Sequence, residues 1–376
     1  MSTQRPLKNL PIKKIAILNL RQEYTLSGQS NSHRFLKNLL KDTDIELNNG
    51  FTRKTDKRAQ GIPLLNLTNI KKWQNSFHEV EILILKIPTP AQVFFTSQFF
   101  GTFRGRLIYW IDSQNWQPLP MKTTLQLLRN EPILTAMRLI SNRNFWFRFS
   151  QKKSTLLVVS SKTQKKQLLS IAHPQSSIHV IPNGTLLEEN NTHYKGKKID
   201  EDKFVLGYIG HARMVKGLPD LLWVLNKLKK TGYSFETRLA FSGIGKKKLV
   251  NSFRNANFST EGLVNKAEFY NSLDLLILPY WTDSATVVFP NVLLESLYFG
   301  VPVVTTKLNI TLELFDQGNL AHFFNPRDRT ALYRKVADIL DGTTRLPSST
   351  SLQQYFKNRF SKSIITKKWL ELLLSS

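Results

Sequence analysis

Basic and glycine residues in the second half of the chain suit the binding of a phosphorylated ligand. They lie in residues 210–217. The candidate binding residues of this segment are Gly210, His211, Arg213 and Lys216. This segment follows a predicted strand and precedes a predicted helix. A glycine there allows a tight turn, and the cations lie beside helix N-terminal amides, as a diphosphate requires. The alternative is a solvated basic loop, and the segment by itself favours neither interpretation.

A second candidate segment begins at Pro290 and Asn291, which predict the start of a helix with free amides. Glu295 lies about one turn inside that helix. Its carboxylate can accept two hydroxyl hydrogen bonds, as from a ribose diol. The alternative is a surface glutamate favoured by the helix dipole. In a third segment, residues 241–245, we predict a strand end that opens into glycines, so that a nucleotide base could approach the backbone at Gly243.

The elements that must position these segments alternate between short apolar strands and amphipathic helices. The predicted strands are residues 15–18, 81–85, 106–110, 156–160, 178–181, 204–209, 237–241, 273–278 and 301–305. The predicted helices are residues 35–40, 125–149, 218–228, 292–299 and the C-terminal stretch 352–376. Strands separated by helices predict parallel sheets, because parallel neighbours need crossover connections.

This alternation predicts an α/β fold with two Rossmann-like, doubly wound domains. The first domain is assigned to residues 1–184 and the second to residues 203–351, with a C-terminal helix at 352–376. The polar, charged residues 185–202 between them have no periodicity and are predicted to form a linker.

Composition narrows the class of protein further. The 376 residues are 41% hydrophobic and 21% charged, as in a globular protein with room for two cores. No transmembrane run or secretory signal is found, so a cytoplasmic protein is expected, and a peripheral position on the inner face of a membrane is an additional option. No cysteine is present, which removes thiolate chemistry and disulfides. The net charge of +26 favours polyanionic partners: nucleic acid, an anionic membrane or phosphorylated substrates.

In sequence and in order, these segments resemble the donor-binding domain of the retaining GT-B glycosyltransferases of family 4. That family has a Gly-Arg…Lys-Gly loop, a glycine turn and a Glu-x7-Glu motif that leads into a Gly-x-Pro-Val-Val strand. The corresponding segments here contain Lys216, Gly243, Glu295 and residues 300–304. Residues 180–184 (VIPNG) resemble the interdomain Ile-Pro-Asn-Gly turn of the family. Residues 27–30 (SGQS), with Gly28, resemble the glycine loop that faces the donor from the first domain.

The resemblance implies a GT-B fold, with two domains facing a cleft and a C-terminal helix that returns to the first domain. It implies a transferase of hexosyl type that moves a sugar from a nucleotide sugar to an acceptor hydroxyl, with the anomeric configuration kept. Lys216 would contact the diphosphate and stabilise the leaving group, and Glu295 would hold the ribose. The backbone amides of Asn291, Val292 and Leu293 would receive the distal phosphate and the sugar. No cofactor and no metal are implied, and the nucleotide sugar is the co-substrate.

Two positions depart from the pattern of the family. Val287 stands where the first glutamate of Glu-x7-Glu is expected, and Asp283 is the candidate to replace that carboxylate. His211 stands where a phosphate-binding arginine is expected, and Arg213 is the candidate to supply the lost charge. Arginine and histidine differ in geometry, so this exchange is not conservative.

The acceptor side is predicted to lie in the first domain. Asp112, after the strand at 106–110, is the candidate to activate or orient the acceptor hydroxyl, although an Asp capping the next turn explains it as well. His33 is the alternative to Asp112. Relatives often carry a histidine near the position of Asp112, and this chain has none there.

Residues 134–153 interleave arginines and lysines with aromatic residues, which suits an anionic membrane surface and a lipid-linked or glycan acceptor. A core helix with a charged outer face is the alternative for this stretch. Two other functions stay open for the whole chain. One is a degenerate GT-B protein that binds nucleotide sugar or glycan without turnover. The other is a nucleic-acid-binding protein, which the spread of basic residues along the whole chain disfavours.

Overall fold

The computed structural model describes the strands and helices of both halves of the chain. The described residues are 14–19, 35, 36, 38, 46–48, 80–86, 103–111, 121–130, 132–141, 156–169, 177–185, 203–245, 247–283, 288–316 and 319–375. The predicted linker, apart from Thr185, and the predicted residues Gly28, His33, Asp112 and Val287 lie outside the described residues, so their predicted roles stay predictions.

The first half forms a six-stranded parallel sheet with the strand order β2-β1-β3-β4-β5-β6. Its strands are β1 (Lys14–Asn19), β2 (Glu46–Asn48), β3 (Ile82–Lys86), β4 (Arg106–Ile111), β5 (Leu156–Val159) and β6 (Ser177–Val180). The described helices of this half are α1 (Met121–Asn130), α2 (Pro132–Ser141) and α3 (Lys162–Leu169). β3, β4 and β5 are apolar runs buried on both faces, as parallel strands require.

The second half forms a five-stranded parallel sheet with the order β11-β10-β9-β7-β8. Its strands are β7 (Val205–Ala212), β8 (Glu236–Gly245), β9 (Leu275–Leu278), β10 (Val303–Thr306) and β11 (His322–Phe324). The helices that connect and follow them are α4 (Leu218–Lys230), α5 (Lys247–Asn255), α6 (Lys266–Asn271), α7 (Asn291–Phe299), α8 (Asn309–Leu314), α9 (Arg329–Leu340), α10 (Ser349–Phe360) and α11 (Lys362–Leu374). Two parallel-sheet α/β domains were predicted, and this is what the structure shows.

The last helix, α11, packs on the first sheet rather than on the second. Alternate residues of the first sheet point to its two faces, and one face carries Ile84 and Trp110. Trp369 of α11 packs edge-on against Trp110, with ring centroids 5.5 Å apart. Arg106, at the start of β4, donates hydrogen bonds to the carbonyl oxygens of Leu372 (3.0 Å) and Ser375 (2.6 Å). The predicted return of the C-terminal helix to the first domain is therefore confirmed.

Several predicted elements have different bounds in the structure. The stretch predicted as one helix at 125–149 contains two described helices, Met121–Asn130 and Pro132–Ser141, and the second begins with a proline, which suits the first position of a helix. The C-terminal stretch is two helices joined at Ser361. Gly243 lies within strand β8, which continues to Gly245, so the predicted opening of the strand into a glycine turn is wrong. Gly245 still pairs with Ala212 of β7, beyond a register shift that lies between His211 and Ala212.

Candidate functional site

The basic segment after β7 is shorter than predicted. β7 runs through Gly210 and His211 to Ala212, because the strand keeps pairing with β8 up to a register shift between His211 and Ala212. The prediction that Gly210 and His211 form part of a loop is therefore wrong. Arg213 alone separates the strand from a 3-10 helix, Met214–Lys216. This short connection holds the three basic side chains at the carboxyl edge of the sheet, where ligands of open parallel sheets bind.

Gly217 links the 3-10 helix to α4 with a left-handed backbone, φ 74°. A Cβ atom here would overlap the carbonyl oxygen of Pro279, in the segment after β9. The same segment donates the amide of Trp281 to the carbonyl of Val215, at 3.0 Å. Glycine at position 217 therefore allows the backbones that follow β7 and β9 to pack in direct contact.

Lys216 is buried, and its ammonium lies over the ring of Tyr280, 4.6 Å from the ring centroid. A cation over an aromatic face is stabilised by the ring quadrupole and is held in one place. Tyr280 directly follows Pro279, so the contact that needs Gly217 also delivers the ring beneath Lys216. Lys216, which is predicted to bind the diphosphate, is thus oriented by the segment that follows β9.

His211 is bonded through Nδ1 to the hydroxyl of Ser242, on β8. Burial, followed by the nearby charges of Lys216 and Arg213, lowers the pKa of His211 to about 4. His211 is therefore neutral at pH 7, so it does not replace the charge of the arginine expected at this position. The structure brings His211, Arg213 and Lys216 together, and Lys216 and Arg213 carry the positive charge of the group.

Glu295 is held inside the protein by two residues of α6. Its side chain is only 2% exposed. One carboxylate oxygen forms an ion pair with the Lys266 ammonium, and the other accepts a hydrogen bond of 3.0 Å from the Tyr270 hydroxyl. Burial, followed by the charge of Glu295, raises the pKa of Tyr270 well above its ordinary value, so this phenol stays a donor. The interpretation of Glu295 as a surface glutamate is therefore wrong.

The N-terminus of α7 is the second polar feature of the site. The helix has nine residues and begins at Asn291 after Pro290. Neither Nδ2 nor Oδ1 of Asn291 has a hydrogen-bond partner among the described residues, although the residue is only 7% exposed. The amides of Asn291 and Val292 open the helix, where the helix itself provides no acceptor. The Leu293 amide donates to the Pro290 carbonyl at 2.9 Å, so it is used within the first turn.

Asp283, the candidate replacement for the missing glutamate, faces a different helix. Its oxygens accept hydrogen bonds of 3.4 Å from the Ile310 amide and the Asn309 side chain, at the start of α8. Burial raises the pKa of Asp283, and these donors oppose that shift. The carboxylate caps α8 in this arrangement.

Four residues that contact the predicted site residues were not found from the sequence: Lys266, Tyr270, Tyr280 and Ser242. Lys266 begins α6 directly after its N-cap residue Asn265, whose side chain accepts from the amides of Ala267 and Glu268. An asparagine followed three residues later by a glutamate is a signal for a helix start. It could have located α6, although the partnership with Glu295 depends on tertiary packing.

Two Rossmann-like domains, each built on a parallel sheet, define a GT-B fold. Solved GT-B structures superpose along nearly the whole chain. For a sucrose-phosphate synthase from Thermosynechococcus elongatus the TM-score is 0.74 at 11% identity, over 96% of this chain and 98% of that one. For Anabaena HepE in complex with UDP and glucose it is 0.66 at 16% identity, over 97% and 100%. These likenesses show the fold.

Residues 203–342 match the family model described as "Glycosyl transferases group 1". This match spans the second domain, including Lys216 and Glu295, and makes that domain similar to the group 1 glycosyltransferases. The capsular polysaccharide biosynthesis glycosyltransferase CapM of Staphylococcus aureus is 23% identical over 226 residues, 57% of each chain. The O-antigen biosynthesis glycosyltransferase WclY of Escherichia coli is 25% identical over 206 residues, 52% of this chain and 55% of its own. The chain thus matches little more than half the length of these relatives.

Proposed function

We propose that the chain is a glycosyltransferase that moves a sugar from a nucleotide sugar to the hydroxyl of a glycan or lipid-linked acceptor. The observation that carries the proposal is the side chain of Asn291 at the N-terminus of α7, which is buried and has no hydrogen-bond partner among the described residues, inside a domain that matches the group 1 family model. A buried polar group without a partner is costly, and a ligand that supplies the partner removes this cost. The named relatives act in capsular polysaccharide and O-antigen biosynthesis, which supports a glycan product.

The donor pocket follows from the geometry of the second domain. Glu295 takes the ribose hydroxyls, and Lys216, beside Arg213, takes the diphosphate. The free amides of α7 and the Asn291 side chain take the distal phosphate and the sugar. During transfer the bond between the anomeric carbon and the phosphate oxygen breaks and a bond to the acceptor oxygen forms. Negative charge grows on the departing diphosphate, so the fixed cations and the α7 dipole stabilise the transition state more than the bound donor.

Retention of configuration and independence of metal belong to the same proposal. The resemblance to the retaining family supports retention, and the cationic side chains near the diphosphate can perform the charge neutralisation that a metal ion would otherwise supply. No group of three or more His, Asp or Glu residues in the described ranges is arranged to hold a metal ion.

The surface of the first domain supports a peripheral position on an anionic membrane. Met121 and Leu125 on α1 and Ile140 on α2 are exposed large apolar side chains, and the protein carries a net charge of +26. Exposed apolar groups on a strongly basic protein suit the headgroup region of anionic lipid. None of the helices in the described part of the chain is long and apolar enough to cross a bilayer.

A second candidate function is nucleotide-sugar binding without turnover. Lys266 covers the carboxylate proposed for the ribose, His211 is neutral, and Asp283 is engaged with α8. Transfer or hydrolysis of a nucleotide sugar by the purified protein separates the enzyme from this second candidate.

The test of the donor pocket is a thermal-shift screen against UDP, GDP, ADP and CDP and their common sugar conjugates. A ligand that binds the folded state alone raises the melting temperature by mass action. We expect one nucleotide to raise the melting temperature of the unchanged protein. The variants Lys216→Met and Glu295→Gln should need at least about ten times more of that nucleotide for the same shift, because each loses one charge-assisted contact.

Lys230→Met is the matched control, because this exposed lysine lies at the far end of α4, about 20 Å from Lys216. Its shift should equal that of the unchanged protein. A selective shift that survives both site substitutions in a folded protein contradicts the proposed pocket, and no shift with any nucleotide contradicts the proposed function.

A further inference from the structure

The turn that ends the first domain is bonded directly to the donor-binding edge of the second. Asn183 is 2% exposed and belongs to the Ile-Pro-Asn-Gly turn after β6. Its Nδ2 donates to the carbonyl of Val288 at 2.9 Å, and its Oδ1 accepts from the hydroxyl of Ser160 at 2.9 Å. Ser160 directly follows β5. One amide side chain therefore joins the first sheet to the second domain.

The position of this turn is determined by the first domain. The Ile181 amide donates to the carbonyl of Val159 at 2.8 Å, which continues the pairing of β6 with β5. A Cβ atom on Gly184 would overlap the ring of Phe35, so the backbone after Asn183 lies directly against a buried side chain. Asn183 is thus held from both sides before it reaches Val288.

On the other side, Val288 leads within three residues to the N-terminus of α7. Phe289 has a left-handed backbone, φ 51°, which is unfavourable for a residue with a side chain and persists only where the surroundings impose it. Its ring packs edge-on against Phe360 of α10, with centroids 5.8 Å apart. Pro290 and Asn291 follow immediately. The bond from Asn183 and the Phe289 packing therefore set the direction in which the α7 amides and the Asn291 side chain point.

We propose that Asn183 is a positioning residue for the phosphate-binding end of α7, so that the first domain sets the geometry of the donor site in the second. This rests on the proposed function, in which α7 receives the distal phosphate and the sugar. Lys216 and Glu295 are positioned by other contacts, with Tyr280 and with α6. Loss of the Asn183 bond should therefore weaken the binding of the distal phosphate and the sugar and leave the nucleoside end unchanged.

The experiment compares the affinities of UMP, UDP and UDP-glucose, or of the corresponding set for the nucleotide that the thermal-shift screen selects. UMP lacks the distal phosphate, so its affinity reports the nucleoside end alone. In Asn183→Asp and Asn183→Ala we expect UDP and UDP-glucose to bind about tenfold more weakly, the effect of one buried group left unpaired, and UMP to bind within about twofold of the unchanged protein. The alanine variant separates positioning from the charge that aspartate introduces.

Ser160→Ala is the matched control, because it removes the bond on the first-domain side and leaves the bond to Val288. It should weaken UDP by less than about threefold, a neutral hydrogen bond's net contribution. Equal weakening of all three ligands by the Asn183 variants means a general structural role and overturns the proposal, as does no weakening of any. If the unchanged protein binds none of the three ligands, the proposed function itself fails.

Discussion

Glu295 and His211 show how single residues of the site are controlled by their neighbours. Glu295 has a cation on one oxygen and a phenol on the other, so both oxygens have a remaining acceptor position for a ribose hydroxyl. Glu295 is buried whereas 39% of the Lys266 side chain is exposed, so the cost of removing charge from water falls mainly on the carboxylate and offsets the gain from the ion pair. The Lys266–Glu295 pair is therefore better understood as orienting a ligand group than as a source of stability.

The pH dependence of stability tests the environment of His211. Its pKa is about 4 in the folded protein against an ordinary 6.5, so between these values the unfolded chain binds more protons. Stability should therefore fall as the pH falls from about 6.5 to about 4. The loss is at most roughly 3 kcal/mol, and less because the ring is partly exposed. The melting temperature of His211→Asn should decline less steeply over this range and have the same slope above pH 7. Parallel curves over the whole range would contradict a buried, neutral His211.

At the scale of elements, the connection from β7 to α4 is decided by contacts with the segment after β9. The Trp281 amide bonds to the Val215 carbonyl, and the indole of Trp281 donates to Asp220 of α4 at 2.5 Å. The two loops therefore form one unit that holds Lys216 over Tyr280.

Gly217→Ala tests this unit. The added Cβ would overlap the Pro279 carbonyl, in addition to the cost of about 1–2 kcal/mol for a left-handed alanine. We expect a loss of stability of more than about 3 kcal/mol, as for other overpacked and strained sites, and weaker nucleotide binding through displaced Lys216. Thermal unfolding and nucleotide titration measure the two effects.

Gly232→Ala is the control for the backbone cost alone. Gly232 is also left-handed, with φ 88°, and a Cβ atom there would meet nothing within 4 Å. It should lose only about 1–2 kcal/mol and bind nucleotide normally. If both variants behave alike, close packing against Pro279 is not what requires glycine at 217.

At the scale of the whole molecule, the domains are joined by several separate contacts besides the chain connection. Glu313, at the end of α8, accepts hydrogen bonds from the amides of Lys162 and Thr163, at 2.6 and 2.8 Å, and so caps α3 of the first domain. Asn183 joins the domains at Val288, and α11 crosses to the first sheet. These contacts hold the two domains in a defined relation to each other.

Trp369→Ala tests the contribution of α11. The indole is buried against Trp110, and removal of a buried tryptophan costs about 3–5 kcal/mol. Because this contact belongs to the first domain, we expect a lower melting temperature with an unchanged nucleotide-induced increment. Lys367→Ala, an exposed position on the same helix, should change neither quantity. An unchanged melting temperature for Trp369→Ala would mean that the returning helix does not stabilise the first domain.

The sequence by itself determined the fold class, the order of most elements and the segments that we propose for the donor site. This is possible because local sequence patterns specify the elements of parallel α/β folds. Examples are apolar runs such as β9, the glycine of the left-handed link at 217 and the proline before α7. These signals depend on backbone geometry and burial, which a short stretch of chain specifies.

Only the tertiary structure decided which side chains meet. The partnership of Glu295 with Lys266 joins helices separated by a strand, and the extension of β8 to Gly245 depends on the pairing of Gly245 with Ala212 of β7. The bond from Asn183 to Val288 crosses 105 residues of chain. Such contacts form only when separately specified elements pack together, so no local sequence pattern predicts them. They determine whether the carboxylate, the cations and the α7 amides can contact one ligand.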